Sequence, residues 1–266
     1  MRRILPWISV NNTIILQETA VVSVLDDGLQ YGYGFFTTLK VREGIALFLD
    51  KHRERLLTSA QSLAIGLDQN FPKNVERTIQ SVIEKNEITD GAIRITVTKG
   101  TSNNPTIVIH ATNIDAAVHT VSVITVPDDR DLYKTIKMTY RVPHIIAMQK
   151  AQEQGSQDAL FSQDGSLIES TYANIYSVNG GQIYTPSITG RALDSISRKT
   201  LLEQLPIREQ DTSENTDNPM VLVSSLSIRV VEKINGKLLK QDEAFVSKIQ
   251  KAILIAENQY IAAHKK

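Results

Sequence analysis

Strand-like and helix-like segments interleave along this chain without the strict strand-helix-strand alternation of a wound parallel sheet, which restricts the fold to mixed α/β (α+β) layers. Trp7 to Leu16 predicts a hairpin turning at Asn11-Asn12, Ala20 to Leu25 alternates as a strand would, and Phe35 to Leu49 predicts a second hairpin around Arg42-Glu43-Gly44. From Lys51 the spacing of Leu56, Ala60 and Leu63 predicts a helix, and Val75, Ile79, Val82 and Ile83 share one face of another over Asn74 to Lys85. Strands at Ile93 to Thr98 and Thr106 to His110 follow, joined by a polar loop.

The mixture then starts again. Strands at Thr120 to Val126 and Ile136 to Tyr140 precede a helix from Pro143 to Gly155. Hairpins turn at Asp164-Gly165 and Asn179-Gly180-Gly181, and a helix near Asp194, capped by Asp194 or Ser195, turns Leu201, Leu202 and Leu205 inward. Strands at Met220 to Val223 and Val230 to Leu238 lead to a final helix with Phe245, Ile249, Ile253 and Ala256 on one face. A chain of 266 residues exceeds the usual size of a single core. We therefore expect an N-terminal domain over 1–112, a linker over 113–119 and a C-terminal domain over 120–266 that carries Lys137.

Charge and composition narrow the function classes. The 29 basic and 29 acidic residues cancel without a basic run, so nucleic acid and anionic membrane are not expected partners. Cysteine is absent, which removes disulfide scaffolds, thiolate metal sites and cysteine nucleophiles, and fits a reducing cytoplasm. Neither a signal-peptide core after Arg2-Arg3 nor a run of about eighteen apolar residues is present, so a soluble protein is expected. His52, His110, His119, His144 and His264 show no metal-ligand spacing and read as structural or surface residues. Gly32-Tyr33-Gly34 lacks the third glycine of a dinucleotide site. A small-molecule amino substrate is the expected partner.

The segment from Lys134 to Arg198 offers one residue of each type that a phosphorylated aldehyde cofactor requires. Lys137 is an amine, Glu169 a carboxylate, and Leu193 to Arg198 opens a helix whose first N–H groups suit a phosphate. Taken singly, each has a plain structural explanation; their order along the chain gives them weight.

In that order the chain resembles the fold type IV pyridoxal-phosphate enzymes, or class IV aminotransferases. Asp26-Asp27-Gly28-Leu29-Gln30-Tyr31-Gly32-Tyr33-Gly34-Phe35-Phe36-Thr37-Thr38 is similar to the family's D-R-G-x-x-Y-G-D-G-x-F-[ET], and His52 to Leu56 with Ser59 to H-x-x-R-L-x-x-S. Ala151 to Asp158 resembles A-x-x-x-G-x-[DE], Asp164 to Asn174 resembles D-G-x-[VI]-x-E-x-x-x-x-N, and Tyr184-Thr185-Pro186 and Leu193 to Arg198 resemble the T-P and L-P-G-I-[TS]-R segments. The resemblance implies a two-domain fold with pyridoxal 5'-phosphate between the domains and a homodimer whose partner contributes to each site. It implies Lys137 as the Schiff-base lysine and proton-transfer base, and Glu169 at the pyridine nitrogen. Arg55 with the N–H groups of Ile196 and Ser197 would meet the phosphate, Leu193 would pack on one ring face, and Asn174 would support the site.

Departures from the pattern carry expectations of their own. Asp27, Tyr33, Asp194 and Ser195 replace the motif's Arg, Asp, Pro and Gly, so the phosphate turn is expected to differ in detail. Leu226 stands where the aminotransferases keep a phosphate-binding Thr, leaving Ser225 or a water to compensate. Phe36-Thr37-Thr38 and Ser225 to Val230 resemble 4-amino-4-deoxychorismate lyases, in which Thr38 would deliver a proton. The loop Thr101 to Pro105 lacks the cations with which a D-amino-acid aminotransferase traps its substrate carboxylate. Arg141 is read as a surface ion-pair residue or a contact to the substrate carboxylate or the cofactor's phenolic oxygen. The lyase reaction in folate biosynthesis leads; a branched-chain or D-amino-acid aminotransferase, or a non-catalytic pyridoxal-phosphate-binding protein, are the alternatives.

Overall fold

A computed structural model describes residues 3–102, 104–114, 119–130 and 133–265. Residues 115–118 of the expected linker and Asn103 of the Thr101 to Pro105 loop lie outside the described residues. The chain forms two compact units: Met1–Asp115 with Ile136–Tyr140 and Gln259–Lys266, and Ala116–Thr135 with Arg141–Asn258.

In the first unit, β1 (Trp7–Val10), β2 (Thr13–Leu16), β3 (Gly34–Arg42), β4 (Ile45–Ala46), β5 (Gly91–Thr101) and β6 (Asn104–Thr112) form one sheet in the order β2-β1-β6-β5-β3-β4. Its hairpins turn at Asn11 and Asn12 and at Glu43 and Gly44, all in left-handed backbone, which asparagine and glycine tolerate best. The short α1 (Asp27–Tyr31) precedes β3; α2 (Leu49–Ser62) packs on β3, and α3 (Phe71–Lys85) packs on β1 and β6. Their apolar stripes close over Phe35, Leu39, Val41, Ile93 and Ile95, each buried side chain stabilising the unit by roughly 1.5–3 kcal/mol. Asn86 ties α3 to the sheet by serving both polar groups of the Trp7 backbone, at 3.0 and 2.7 Å.

Two motif glycines have geometric reasons. Gly32 ends α1 at φ 67°, the left-handed C-cap that glycine favours. A Cβ on Gly28 would stand 2.2 Å from Thr98 Cγ2. Asp26 caps α1 by accepting from the Gly28 N–H at 2.7 Å and from the Thr98 hydroxyl at 2.9 Å.

The second unit holds β7 (His119–Pro127), α4 (Val142–Glu153), β8 (Asp158–Gln163), β9 (Ser166–Ser170), β10 (Asn174–Asn179), β11 (Gln182–Thr185), α5 (Ile196–Gln204), β12 (Ile207–Glu209), β13 (Thr212–Ser213), β14 (Met220–Val223), β15 (Ile228–Ile234), β16 (Lys237–Leu238) and most of α6 (Glu243–His264). The sheet runs β12-β11-β10-β14-β15-β7-β8-β9-β13, and a further β9–β10 pairing brings it back on itself. Both faces of these strands are covered. Val121, Leu160, Leu167, Ile175, Leu222 and Val231 pack together on one side of the sheet. The alternate residues Tyr176, Val221 and Val223 pack against Leu201 of α5 and Phe245 and Ile249 of α6, and Ile124, Val126 and Phe161 against Ala147 and Ala151 of α4.

Three expectations are corrected. Ala20 to Leu25 is not a strand: it pairs with no other segment among the described residues, and alternation alone supplies no hydrogen-bonding neighbour. Ile136 to Tyr140 forms only an isolated bridge, Met138 with Phe35, flanked by hydrogen bonds from Phe36 N to Lys137 O at 2.8 Å and from Thr139 N to Gly34 O at 2.9 Å. Those contacts place Lys137 in the first unit, although the division at 113–119 had put it in the second. Likewise the last turns of α6 return to the first unit, where the Leu49 N–H at the start of α2 donates to the Tyr260 hydroxyl at 3.0 Å.

Candidate active site

In the first unit, β3 alternates two sets of polar groups across the sheet. Odd positions turn toward α2. There the Thr37 hydroxyl lies 2.6 Å from His52 Nδ1 and accepts a hydrogen bond from the Arg55 guanidinium. Even positions, Phe36 and Thr38, take the other face. The Lys137 ammonium stands 5.0 Å from the centre of the Phe36 ring, and the Arg94 guanidinium lies 3.6 Å from it. Both Lys137 and Thr38 are half-buried. His52 is fully enclosed, and burial above all, with the charges of Arg55 and Lys137 adding to it, pushes its imidazole well below the usual range.

In the second unit, the β9–β10 pairing sets Glu169 directly opposite Asn174. Glu169 is 7% exposed and accepts a hydrogen bond from Arg130. Arg130 in turn lies over the Phe161 ring at 4.0 Å and donates to Asp128 at 2.7 and 3.1 Å, while Lys134 reaches the same carboxylate at 3.1 Å. Burial alone would raise the Asp128 carboxyl, but Arg130 and Lys134 outweigh it and hold the group below its ordinary value. Burial works against the Arg130 charge too, and Asp128 and Glu169 more than compensate, so its pKa is raised.

Asn174 donates to the Leu193 carbonyl at 3.2 Å and accepts a hydrogen bond from Ser195. Ser195 is the N-cap of α5, its hydroxyl accepting from the Arg198 N–H at 3.1 Å and lying 2.9 Å from the Ser197 hydroxyl. Its φ of −74° is ordinary extended backbone, so the serine in place of the motif's glycine introduces no strain. Ile196 and Ser197 are buried in the first turn of the helix. Ser225 and Leu226 belong to the turn between β14 and β15, which is held by Ser224 and Ser227 with their hydroxyls 3.0 Å apart. Arg141 donates to the Thr171 carbonyl and lies over the Tyr172 ring at 5.6 Å.

The expected site residues thus form two groups, Arg55, Lys137 and Thr38 in the first unit, and Glu169, Asn174, Leu193, Ile196, Ser197 and Ser225 in the second. Sequence reasoning missed Thr37 and His52 as partners of Arg55, and Asp128, Arg130 and Lys134 as the charge cluster around Glu169. The run Asp128-Asp129-Arg130 at the end of an apolar strand was the available signal for the second cluster.

The chain belongs to the amino-transferase class IV family, which matches residues 34–216. It is accordingly a pyridoxal-phosphate-dependent enzyme, a lyase or an aminotransferase. Among curated proteins it is 27% identical to a D-alanine aminotransferase of Staphylococcus aureus strain N315, across 97% of this chain and 98% of that one. Among solved structures it is similar to a Legionella pneumophila protein provisionally named 4-amino-4-deoxychorismate lyase, at a TM-score of 0.81 and 24% identity over 91% of this chain and 97% of that one. The branched-chain amino acid aminotransferase of Escherichia coli superimposes at a TM-score of 0.86 with 19% identity, covering 95% of each chain.

Proposed function

We propose that this enzyme converts 4-amino-4-deoxychorismate to 4-aminobenzoate and pyruvate. The observation that carries the reading is the alternation of β3. Thr38 shares a face with Phe36, over whose ring Lys137 stands, while Thr37 turns away to Arg55. A hydroxyl and an amine on one face are the two groups that this elimination needs.

The donor set fits pyridoxal phosphate. Glu169 is a buried carboxylate with one guanidinium partner named above, and its two oxygens have lone pairs for a pyridinium N–H as well. Arg55 and the first N–H groups of α5, at Ile196 and Ser197, are the groups to hold its phosphate, with Ser225 in the turn between β14 and β15 as a further hydroxyl donor. Leu193 supplies apolar surface for the ring, and Asn174 supports Leu193 and Ser195. When bound, the cofactor supplies an electron sink for charge developing at the substrate carbon that bears the amine.

Lys137 Nζ removes the proton from that carbon, the neighbouring ring carbon–oxygen bond to the enolpyruvyl group breaks, and Thr38 Oγ1 delivers a proton to the enolpyruvyl methylene carbon, which leaves as pyruvate; the proton taken by Lys137 restores the Thr38 hydroxyl. Aromatisation of the remaining ring drives the step. Glu169 keeps the pyridine nitrogen protonated, and Arg130 fixes the Glu169 carboxylate in turn. We further read the enzyme as a homodimer that contributes residues across the dimer axis, and as cytoplasmic, in keeping with a chain free of cysteine.

The similarity to D-alanine aminotransferase motivates the second reading, amine exchange with an oxo acid. Against it stands the loop Thr101 to Pro105, which has no cation for a substrate carboxylate. Absorbance and product assays separate the readings. Wild type is expected to show a visible band that borohydride bleaches and that Lys137→Ala lacks, and to release pyruvate from 4-amino-4-deoxychorismate without an oxo-acid acceptor. Turnover only with an acceptor would establish the aminotransferase, and identical spectra in the two proteins would remove Lys137 from the site.

A further inference from the structure

We infer that Thr37 and His52 are positioning residues that aim the Arg55 guanidinium, so that the first threonine of Phe36-Thr37-Thr38 serves phosphate binding while the second serves the reacting carbon. This rests on the reading of Arg55 as a phosphate ligand. A threonine hydroxyl has a single proton, and the Arg55 guanidinium donates to Thr37 Oγ1, so the hydroxyl proton points to the group 2.6 Å away, His52 Nδ1. His52 Nδ1 is therefore the acceptor, and the imidazole is the neutral Nε2–H tautomer. Full burial of His52 favours the neutral form independently. The chain guanidinium to hydroxyl to imidazole runs in one direction and leaves no donor facing a donor.

Burial fixes the relay in place. Thr37 is fully enclosed and His52 is 1% exposed, so water cannot take over either role. His52 and Arg55 lie one turn apart on α2, both facing β3. Thr37 orients the cation without neutralising it. An acidic residue at this position would pair with the guanidinium and compete with a phosphate for its charge. A held guanidinium also loses less side-chain freedom on binding than a mobile one.

Titration of the full chain with pyridoxal phosphate and, separately, with pyridoxal, followed by visible absorbance, tests the relay. Thr37→Val is expected to weaken pyridoxal phosphate by about tenfold, the change that a lost hydrogen bond to a charged group produces, while pyridoxal binds as before. Thr37→Ser, which restores the hydroxyl, and His52→Asn, which keeps an acceptor near the place of Nδ1, are expected to retain most of the affinity, and His52→Leu to lose it. Inorganic phosphate should compete less well in Thr37→Val than in wild type. Equal weakening of both ligands in Thr37→Val, or no weakening of either, would overturn the inference. If Arg55→Ala binds both ligands as wild type does, the phosphate role of Arg55 fails first and takes the relay with it.

Discussion

In the β5–β6 pairing Arg94 stands directly opposite His110, and this neighbour joins desolvation in deciding the charge of the ring. Burial first, and the Arg94 guanidinium second, lower the His110 pKa to about 4. In the unfolded chain the imidazole returns to its ordinary value of 6.5. Between those values the unfolded state binds a proton that the folded state excludes. The folded state therefore keeps its full stability above 6.5 and loses it as pH falls toward 4, by on the order of 1–3 kcal/mol for this residue. His52 has the same sign, its imidazole being pushed down by burial, then by Arg55 and Lys137. His110→Gln is expected to flatten the loss of stability between neutral and mildly acidic pH. Denaturation midpoints measured on both sides of 6.5 check this, and an unchanged slope in the variant would remove His110 as the cause.

Helix α5 shows how an element's start is built and how much of it can be read in advance. Ser195 accepts from the Arg198 N–H and bonds to Asn174 on β10, so it caps the helix and joins it to the sheet at once. Ser195→Ala is expected to cost about 1 kcal/mol through the lost cap, a fall of about 2–4 °C in unfolding temperature for a chain of this size. Calorimetry measures it, and a midpoint unmoved by the change would show that the cap contributes nothing. The cap was legible because Ser precedes an apolar helical stripe, and the hairpins were legible because Asn-Gly and Asp-Gly turns favour one backbone conformation. Long-range pairing was not. Nothing local distinguishes Ile136 to Tyr140, which bridges β3 about a hundred residues away, from an ordinary strand, so Lys137 was assigned to the wrong side of the division. Short β12 and β13 carry too few residues for a period, and Ala20 to Leu25 has a period but no neighbour. In the same way the sequence named Arg55, Glu169 and Asn174 through their motifs, yet hid Thr37 beside Arg55 and Arg130 beside Glu169. Those contacts depend on which strand face and which register the folded unit adopts.

At the scale of the whole molecule, the segment before β3 argues for a second copy of the chain. Val21, Val24, Leu25, Leu29 and Tyr31 are 81, 68, 70, 62 and 76% exposed, and all fall within about a dozen residues. Scattered exposed apolar side chains are ordinary, but five within about a dozen consecutive residues motivate a test for self-association. Glycines at 28 and 32 hold this segment against the sheet by close approach and by left-handed backbone, so its side chains are presented from a fixed frame. Burying one such side chain contributes roughly 1.5–3 kcal/mol, and two together at least about a hundredfold in association. We expect the purified protein to sediment as a dimer, and Leu25→Asp with Leu29→Asp to dissociate it at concentrations where wild type stays paired. Sedimentation velocity at several loading concentrations distinguishes the outcomes. A wild-type monomer would remove the need for the apolar surface, and a double variant that remained dimeric would move the interface elsewhere on the chain.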